Sequence, residues 1–229
     1  MPTRAKINFI ASDNPITEPV TKFGGQPVWL TTPQWPLSRS SGKPMQFIAQ
    51  IALDDVPGFD LIGKGKMAYL FMSDDEEGGL ETWEAEGGEN ALIIQPGTAE
   101  LPVDVAADVI GPPLCHWADN GNVRTLQACE YAVQLALGEE PVWQDADSCN
   151  ANRKYPAFEE YINAMEGTKL GGGPLFVQYD EFPEGEDWRL LLQLDSATVP
   201  FALNFGDMGV GYAFIDATGT RGRFLWQCT

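Results

Sequence analysis

Apolar and polar residues alternate along this chain with two different periods. Residues 45–53 form an apolar run broken only by Gln46 and Gln50, and residues 189–195 form another, broken by Gln193 between Arg189 and Asp195. Residues 66–72 and 210–216 follow, with Val210, Tyr212 and Phe214 on one face; Phe224 and Trp226 alternate within 222–228. Short runs of this kind, bounded by Gly and Pro, predict strands of a sheet. Shorter strands are predicted at 28–30, 80–86, 90–95 and 175–178. Between the two strand groups the period changes. Leu126, Cys129, Val133, Ala136 and Leu137 fall at helical spacing before Gly138. A second helix is predicted from Pro156, with Phe158, Tyr161, Ile162 and Met165 on one stripe before Gly167. Residues 7–22, with Pro15 and Pro19, read as a polar lead-in over a sheet edge.

The strand groups repeat one another. Lys22-Phe23-Gly24-Gly25-Gln26-Pro27 is answered by Lys169-Leu170-Gly171-Gly172-Gly173-Pro174. Gln50 within Phe47-Ile48-Ala49-Gln50-Ile51 is answered by Gln193, and Tyr69 by Tyr212. These last two pairs share an offset of 143, while the glycine turns are offset by 147. A constant order with one change in loop length is the mark of a duplicated unit. The expectation is an α+β fold, predominantly antiparallel β, with a β-unit duplicated in a pseudo-two-fold relation and a mainly helical insert. Copy one spans about 22–86, the insert about 110–167 and copy two about 169–228, all within a single domain.

Charge narrows the partners. The 229 residues carry 33 acidic against 14 basic side chains, a net charge of -19. Such a field repels phosphate backbones, so no nucleic acid is expected, and it draws in basic proteins or peptides. The apolar runs are too short to span a bilayer, and no signal peptide is read at the start. Four cysteines without a close pair fit a reduced, cytoplasmic protein. The oligomeric state stays open.

The candidate chemistry is sparse. Gln50 and Gln193 are amides inside apolar strands; each either bonds backbone within the sheet or lines a groove between the copies. Asp195 and Asp207 either form a carboxylate pair or bond nearby turn amides. Trp29 and Trp35, beside prolines, are either binding anchors or core. Asp74, Asp75, Glu76 and Glu77 form an acidic loop, either a solvated tip or a contact for a basic partner. Lys22 and Lys169 precede glycines in the reverse of a phosphate-loop order, so no nucleotide is expected there. Cys115, His116, Cys129 and Cys149 lack the paired short spacings of a zinc site, so no metal or other cofactor is expected.

The block Trp188-Arg189-Leu190-Leu191-Leu192-Gln193-Leu194-Asp195-Ser196, the stretch Phe205-Gly206-Asp207-Met208-Gly209-Val210-Gly211-Tyr212 and the final Trp226-Gln227-Cys228 resemble the YwqG-like family of bacterial proteins. The first copy's Phe23-Gly24-Gly25-Gln26-Pro27 and Gln34-Trp35-Pro36 match it too. The resemblance covers most of the chain and is weakest over about 85–155. That family is similar to a domain of eukaryotic ribosome-assembly and cell-death-associated proteins that chaperones a ribosomal protein, and acidic bacterial relatives are suggested immunity partners of toxins. The clustered cysteines of some eukaryotic relatives are missing here, so no zinc module carries over. The expected function is a non-catalytic, acidic protein- or peptide-binding module, chaperone- or adaptor-like. The alternatives are an immunity protein that neutralises a basic toxin and a carboxylate-based hydrolase.

Overall fold

In the computed structural model, which describes residues 1–74, 79–97, 103–121, 123–145, 148, 156–185 and 187–229, the apolar runs become strands. They are β1 (Thr3–Ala11), β2 (Lys22–Gly24), β3 (Trp35–Pro36), β4 (Gln46–Ala52), β5 (Met67–Met72), β6 (Asn90–Gln95) and β7 (Val105–Ala106). After these come β8 (Cys115–Asn120), β9 (Val123–Ala128), β10 (Glu130–Glu139), β11 (Lys169–Gly171), β12 (Arg189–Asp195), β13 (Val210–Ile215) and β14 (Gly222–Gln227). A helix, α1 (Pro156–Met165), precedes β11. Ten strands form one antiparallel sheet in the order β14-β13-β12-β11-β1-β10-β2-β4-β5-β6. Its two edges meet: a side chain on Gly222 of β14 would strike Leu92 of β6. The sheet is therefore a nearly closed barrel. Inside lie Ala5, Phe23, Ile51, Leu70, Leu194 and Phe224, each fully buried or nearly so.

The predicted α+β class with a helical insert is overturned. Of the described residues, 39% are strand and 6% helical. The stretch with Leu126, Val133 and Leu137 forms β9 and β10, not a helix. Tyr131, Val133 and Leu135 face the barrel core at a period of two. β10 also pairs with the whole of β1, from Thr3↔Glu139 to Ala11↔Tyr131. That ladder satisfies its backbone, and tertiary pairing outweighs a weak local helical period. The helix expected from Pro156 does form, with Tyr161 and Met165 buried. Residues 7–11, expected in a lead-in, belong to β1 at the sheet's centre. Residues 28–30, 80–86 and 175–178 are not strands.

The strand order is a palindrome about the β1–β10 pair, so β2, β4, β5 and β6 mirror β11, β12, β13 and β14. Lys22 faces Gln50, which faces Tyr69; Lys169 faces Gln193, which faces Tyr212. Both lysines are buried, and both ammonium groups are paired. Lys22 meets Glu130 at 2.5 Å and Lys169 meets Glu140 at 2.7 Å. Glu130 opens β10 and Glu140 directly follows it, so one strand delivers a carboxylate to each copy. The glycine turns make room for them. Gly25 and Gly172 have φ of +66° and +74°, a region that disfavours side chains. A Cβ there would also collide with the carboxylates of Glu130 and Glu140 respectively.

Converting Glu140 to Gln would leave the Lys169 ammonium buried against a neutral amide. We expect a loss of about 3–5 kcal/mol, the usual cost of breaking a buried pair on one side, read from urea unfolding. Gln193→Leu would strand the Leu175 N–H and the Met165 and Gly167 carbonyls. The expected loss there is about 1–3 kcal/mol.

Candidate functional site

Gln50 and Gln193 are both buried and bonded to backbone. Gln50 Oε1 accepts from Val28 N at 2.7 Å, and its Nε2 donates to the Val20 carbonyl at 2.8 Å. Gln193 Oε1 accepts from Leu175 N at 2.8 Å, and its Nε2 donates to Gly167 at 2.9 Å. Each amide fastens the loop of its own copy to the outer face of the sheet. A second pair, which the sequence reading missed, does the same work. Gln95 and Gln227 accept from Thr31 N and Gln178 N and donate to the Thr32 and Tyr179 carbonyls. Their offset, 227 minus 95, is 132, so they fall outside the 143-residue register. The available signal was a glutamine closing the last strand of each copy.

The other candidates are scattered. Trp35 is buried with its indole N–H donated to the Met45 carbonyl at 2.8 Å, and Trp29 stacks on Phe71, so both cover the sheet. Asp195 Oδ1 accepts from Ala197 N at 2.9 Å in a turn. Asp207 is exposed, and its carbonyl accepts from Thr229 N. Asp74 is exposed; Asp75, Glu76 and Glu77 lie outside the described residues, as does Cys149. Among the described residues no three His, Cys, Asp or Glu gather as metal ligands, and no helix is long and apolar enough to cross a membrane.

What the structure does bring together is a groove of about 920 Å³ at one mouth of the barrel. Strand ends supply Gln46 of β4, Met72 of β5 and Trp226 of β14. The β8–β9 hairpin stands as a wall, because Trp117 and Leu126 are cross-strand partners on the face that lines the groove. Its base is pinned where Gln46 Nε2 donates to Pro113 at 2.8 Å and Ala202 N donates to Cys115 at 2.7 Å. The opposite wall is segment 80–83. Asn90 Nδ2 holds the Thr82 carbonyl at 2.9 Å, and Trp226 Nε1 donates to Thr82 Oγ1 at 3.2 Å. Trp83 and Trp117 remain 41% and 51% exposed, unusually open for tryptophan. The two rings at the seam, Trp83 and Trp226, meet edge to face at 5.9 Å. The guanidinium of Arg124 lies 5.2 Å over the Trp117 ring, so that ring already accepts a cation. Asp74 stands on the rim.

The thiols at this mouth are poor nucleophiles. Burial, and then the Asp74 carboxylate, push the Cys115 thiol above its ordinary value. Burial pushes Cys129 up to about 12. Both keep their protons near neutrality, and the thiolate is the reactive form. Behind the wall, burial alone would raise Glu89, but hydrogen bonds from Ser38, Ser40 and Ser73 outweigh it and hold the carboxylate below its usual range. Ser73 Oγ donates to it at 2.7 Å and Ser40 N at 2.8 Å. Glu89 thereby anchors the segment that precedes β6.

A family model described as a domain of unknown function (DUF1963) matches residues 21–221. No curated protein matches the chain. Of the chemistry, the raised thiol is directly measurable. At pH 8 the alkylation of Cys129 by iodoacetamide should be roughly a hundredfold or more slower in the native protein than in urea, where the pKa returns to about 8.5. Peptide-resolved mass spectrometry would report it.

Proposed function

The chain belongs to the DUF1963 family, and within it we propose that this protein is a non-catalytic, acidic binding module whose barrel-mouth groove takes basic protein or peptide segments, in a chaperone- or adaptor-like role. The observation that carries this reading is the groove itself. It pairs two exposed tryptophans with an acidic rim residue in a chain of net charge -19. Rigid aromatic side chains give large contact area at small entropic cost and serve as anchors. Barrel mouths are a recurrent place for ligands, and an acidic field speeds the encounter with basic partners. Binding is favoured over hydrolysis on Asp195 and Asp207 because Asp195 is engaged in its own turn, and the groove's Cys115 thiol, pushed above its ordinary value, is a poor alternative nucleophile. The YwqG-like resemblance and a cytoplasmic setting belong to the same proposal; the free thiols of Cys115, Cys129 and Cys228 support the latter.

Fluorescence anisotropy with labelled peptides tests this. Lysine- and arginine-rich peptides with an aromatic residue should bind, and their charge-reversed versions should not. Affinity should fall at least about tenfold between low and high salt. Trp83→Ala with Trp117→Ala should weaken binding by about tenfold or more; Trp117→Ala alone, which leaves the Trp83–Trp226 contact in place, should weaken it with an unchanged melting profile. Equal capture of acidic and basic peptides, or indifference to both tryptophans, would remove the basis of the proposal.

A further inference from the structure

The two copies differ at their buried ion pairs. Arg4 on β1 faces Gly171, as Glu130 on β10 faces Gly24. Arg4 is therefore the positional counterpart of Glu130. Likewise Lys6, which faces Lys169, stands where copy one has Ala132 facing Lys22. Copy one sets one carboxylate against one ammonium. Copy two sets Arg4 and Lys169 against Glu140, with the exposed Lys6 adding its charge. Burial first, and then the charges of Arg4 and Lys6, pull Lys169 below its ordinary value against the pull of Glu140.

Glu140 cannot serve Lys169 and Arg4 equally. Its oxygens accept from Lys169 Nζ at 2.7 Å and from Gly173 N at 2.5 Å, while Arg4 Nε stands 3.9 Å away. The Arg4 side chain is only 8% exposed, and its Nη1 has no hydrogen-bond partner among the described residues. A buried guanidinium nitrogen without an acceptor is costly, and such a group calls for an acceptor from elsewhere.

A cavity of about 570 Å³ lies beside this cluster, at the barrel end opposite the groove. Thr3, next to Arg4 in sequence, and Gly172, which leaves room for Glu140, are in its lining; Arg4 itself lies behind that lining. Its walls are Trp143, Phe182 and Trp188. Arg189 also lines it, exposed and joined to the Gly58 carbonyl by a long 3.5 Å bond. With the 143-residue offset, Arg189 is the counterpart of Gln46, which lines the groove at the other mouth. The duplication thus places an arginine where the groove has a neutral amide.

We propose that this cavity is a carboxylate site. It takes a ligand with one carboxylate on a compact apolar or aromatic body, the carboxylate paired with Arg189 and drawn by the charge of Arg4 behind the lining, and the body held among Trp143, Phe182 and Trp188. Arginine's planar fork suits a carboxylate in two-point contact, and the volume suits a small molecule or the last residue of a chain. The ligand is either a free aromatic acid or the C-terminal carboxylate of a peptide. The site is separate from the groove, so its failure leaves the peptide-binding proposal standing, and the reverse holds too.

The test uses the full chain and two matched pairs of probes. These are 3-phenylpropionate with its amide, and acetyl-Gly-Phe with its C-terminal amide. Binding is followed by NMR on the indole N–H signals of Trp143 and Trp188. Each carboxylate that binds should do so at least about tenfold more tightly than its amide, and the tighter of the two carboxylates identifies the source. Arg189→Gln, at the exposed rim, and Arg4→Met should each weaken the carboxylate by about fivefold or more and leave the amides unchanged; the rim variant carries the test if Arg4→Met does not fold. Trp188→Ala should weaken acid and amide alike. The proposal is overturned if neither carboxylate moves the two indole signals at millimolar concentration, if acids and amides bind equally, or if Arg189→Gln binds like the unaltered chain.

Discussion

Two buried lysines constrain this fold more than any other feature. An ammonium group enclosed by protein is tolerated only with a carboxylate against it. Lys22 and Lys169 are both enclosed, one in each copy of the repeat. β10 meets both demands, with Glu130 at its start and Glu140 just past its end. At a rise of about 3.3 Å per residue, the strand spans the distance between the two sites. Its length, its pairing with β1 and the glycine turns at either end all follow from delivering two carboxylates to two fixed lysines. The glutamines then tie each loop over its own lysine, and the tyrosines Tyr69 and Tyr212 donate to Val28 and Leu175 in the same loops.

That logic explains what was legible beforehand. The strands of the repeat were plain, because Gln50 and Gln193 sit in apolar runs and Tyr69 and Tyr212 follow at one offset. Arg189–Asp195 was placed to the residue. β10 was hidden, since Val133, Ala136 and Leu137 suit a helical stripe as well as an alternating strand. Only its long-range pairing with β1 decides between them. The second purpose of Gly25 and Gly172, room for a carboxylate, was invisible because Glu130 and Glu140 lie outside the repeated unit.

The candidate site shows the same division. Trp29 and Trp35 drew attention by their prolines, yet they are covers over the sheet. Trp117 comes from a stretch with no counterpart in the other copy; Trp83 does match Trp226 at the 143-residue offset, yet 80–86 is not a strand and its ring stands open on the groove. Their partner Trp226 does lie in a repeated strand, but it meets them only when the barrel curls. Asp74 was in view as the first residue of an acidic loop, and of that loop it is the residue the groove is shown to include. Divergence between copies, not their likeness, marks both cavities: Gln46 at one mouth and Arg189 at the other occupy one repeat position with different charge.

The near-closure of the barrel has a mechanical consequence. On one side the halves share the continuous β1–β10 ladder. On the other, β6 and β14 are not neighbours in a ladder; packing around Gly222, the Arg223–Glu86 pair and the bonds from Trp226 to Thr82 and Trp83 hold them together. Side-chain closure yields before a backbone ladder does. The barrel therefore has a spine and a lip, and its softest motion parts the lip. Thr82, Trp83 and Trp226 are at once the clasp of that lip and the wall of the groove, so the width of the groove and the closure of the barrel are one degree of freedom.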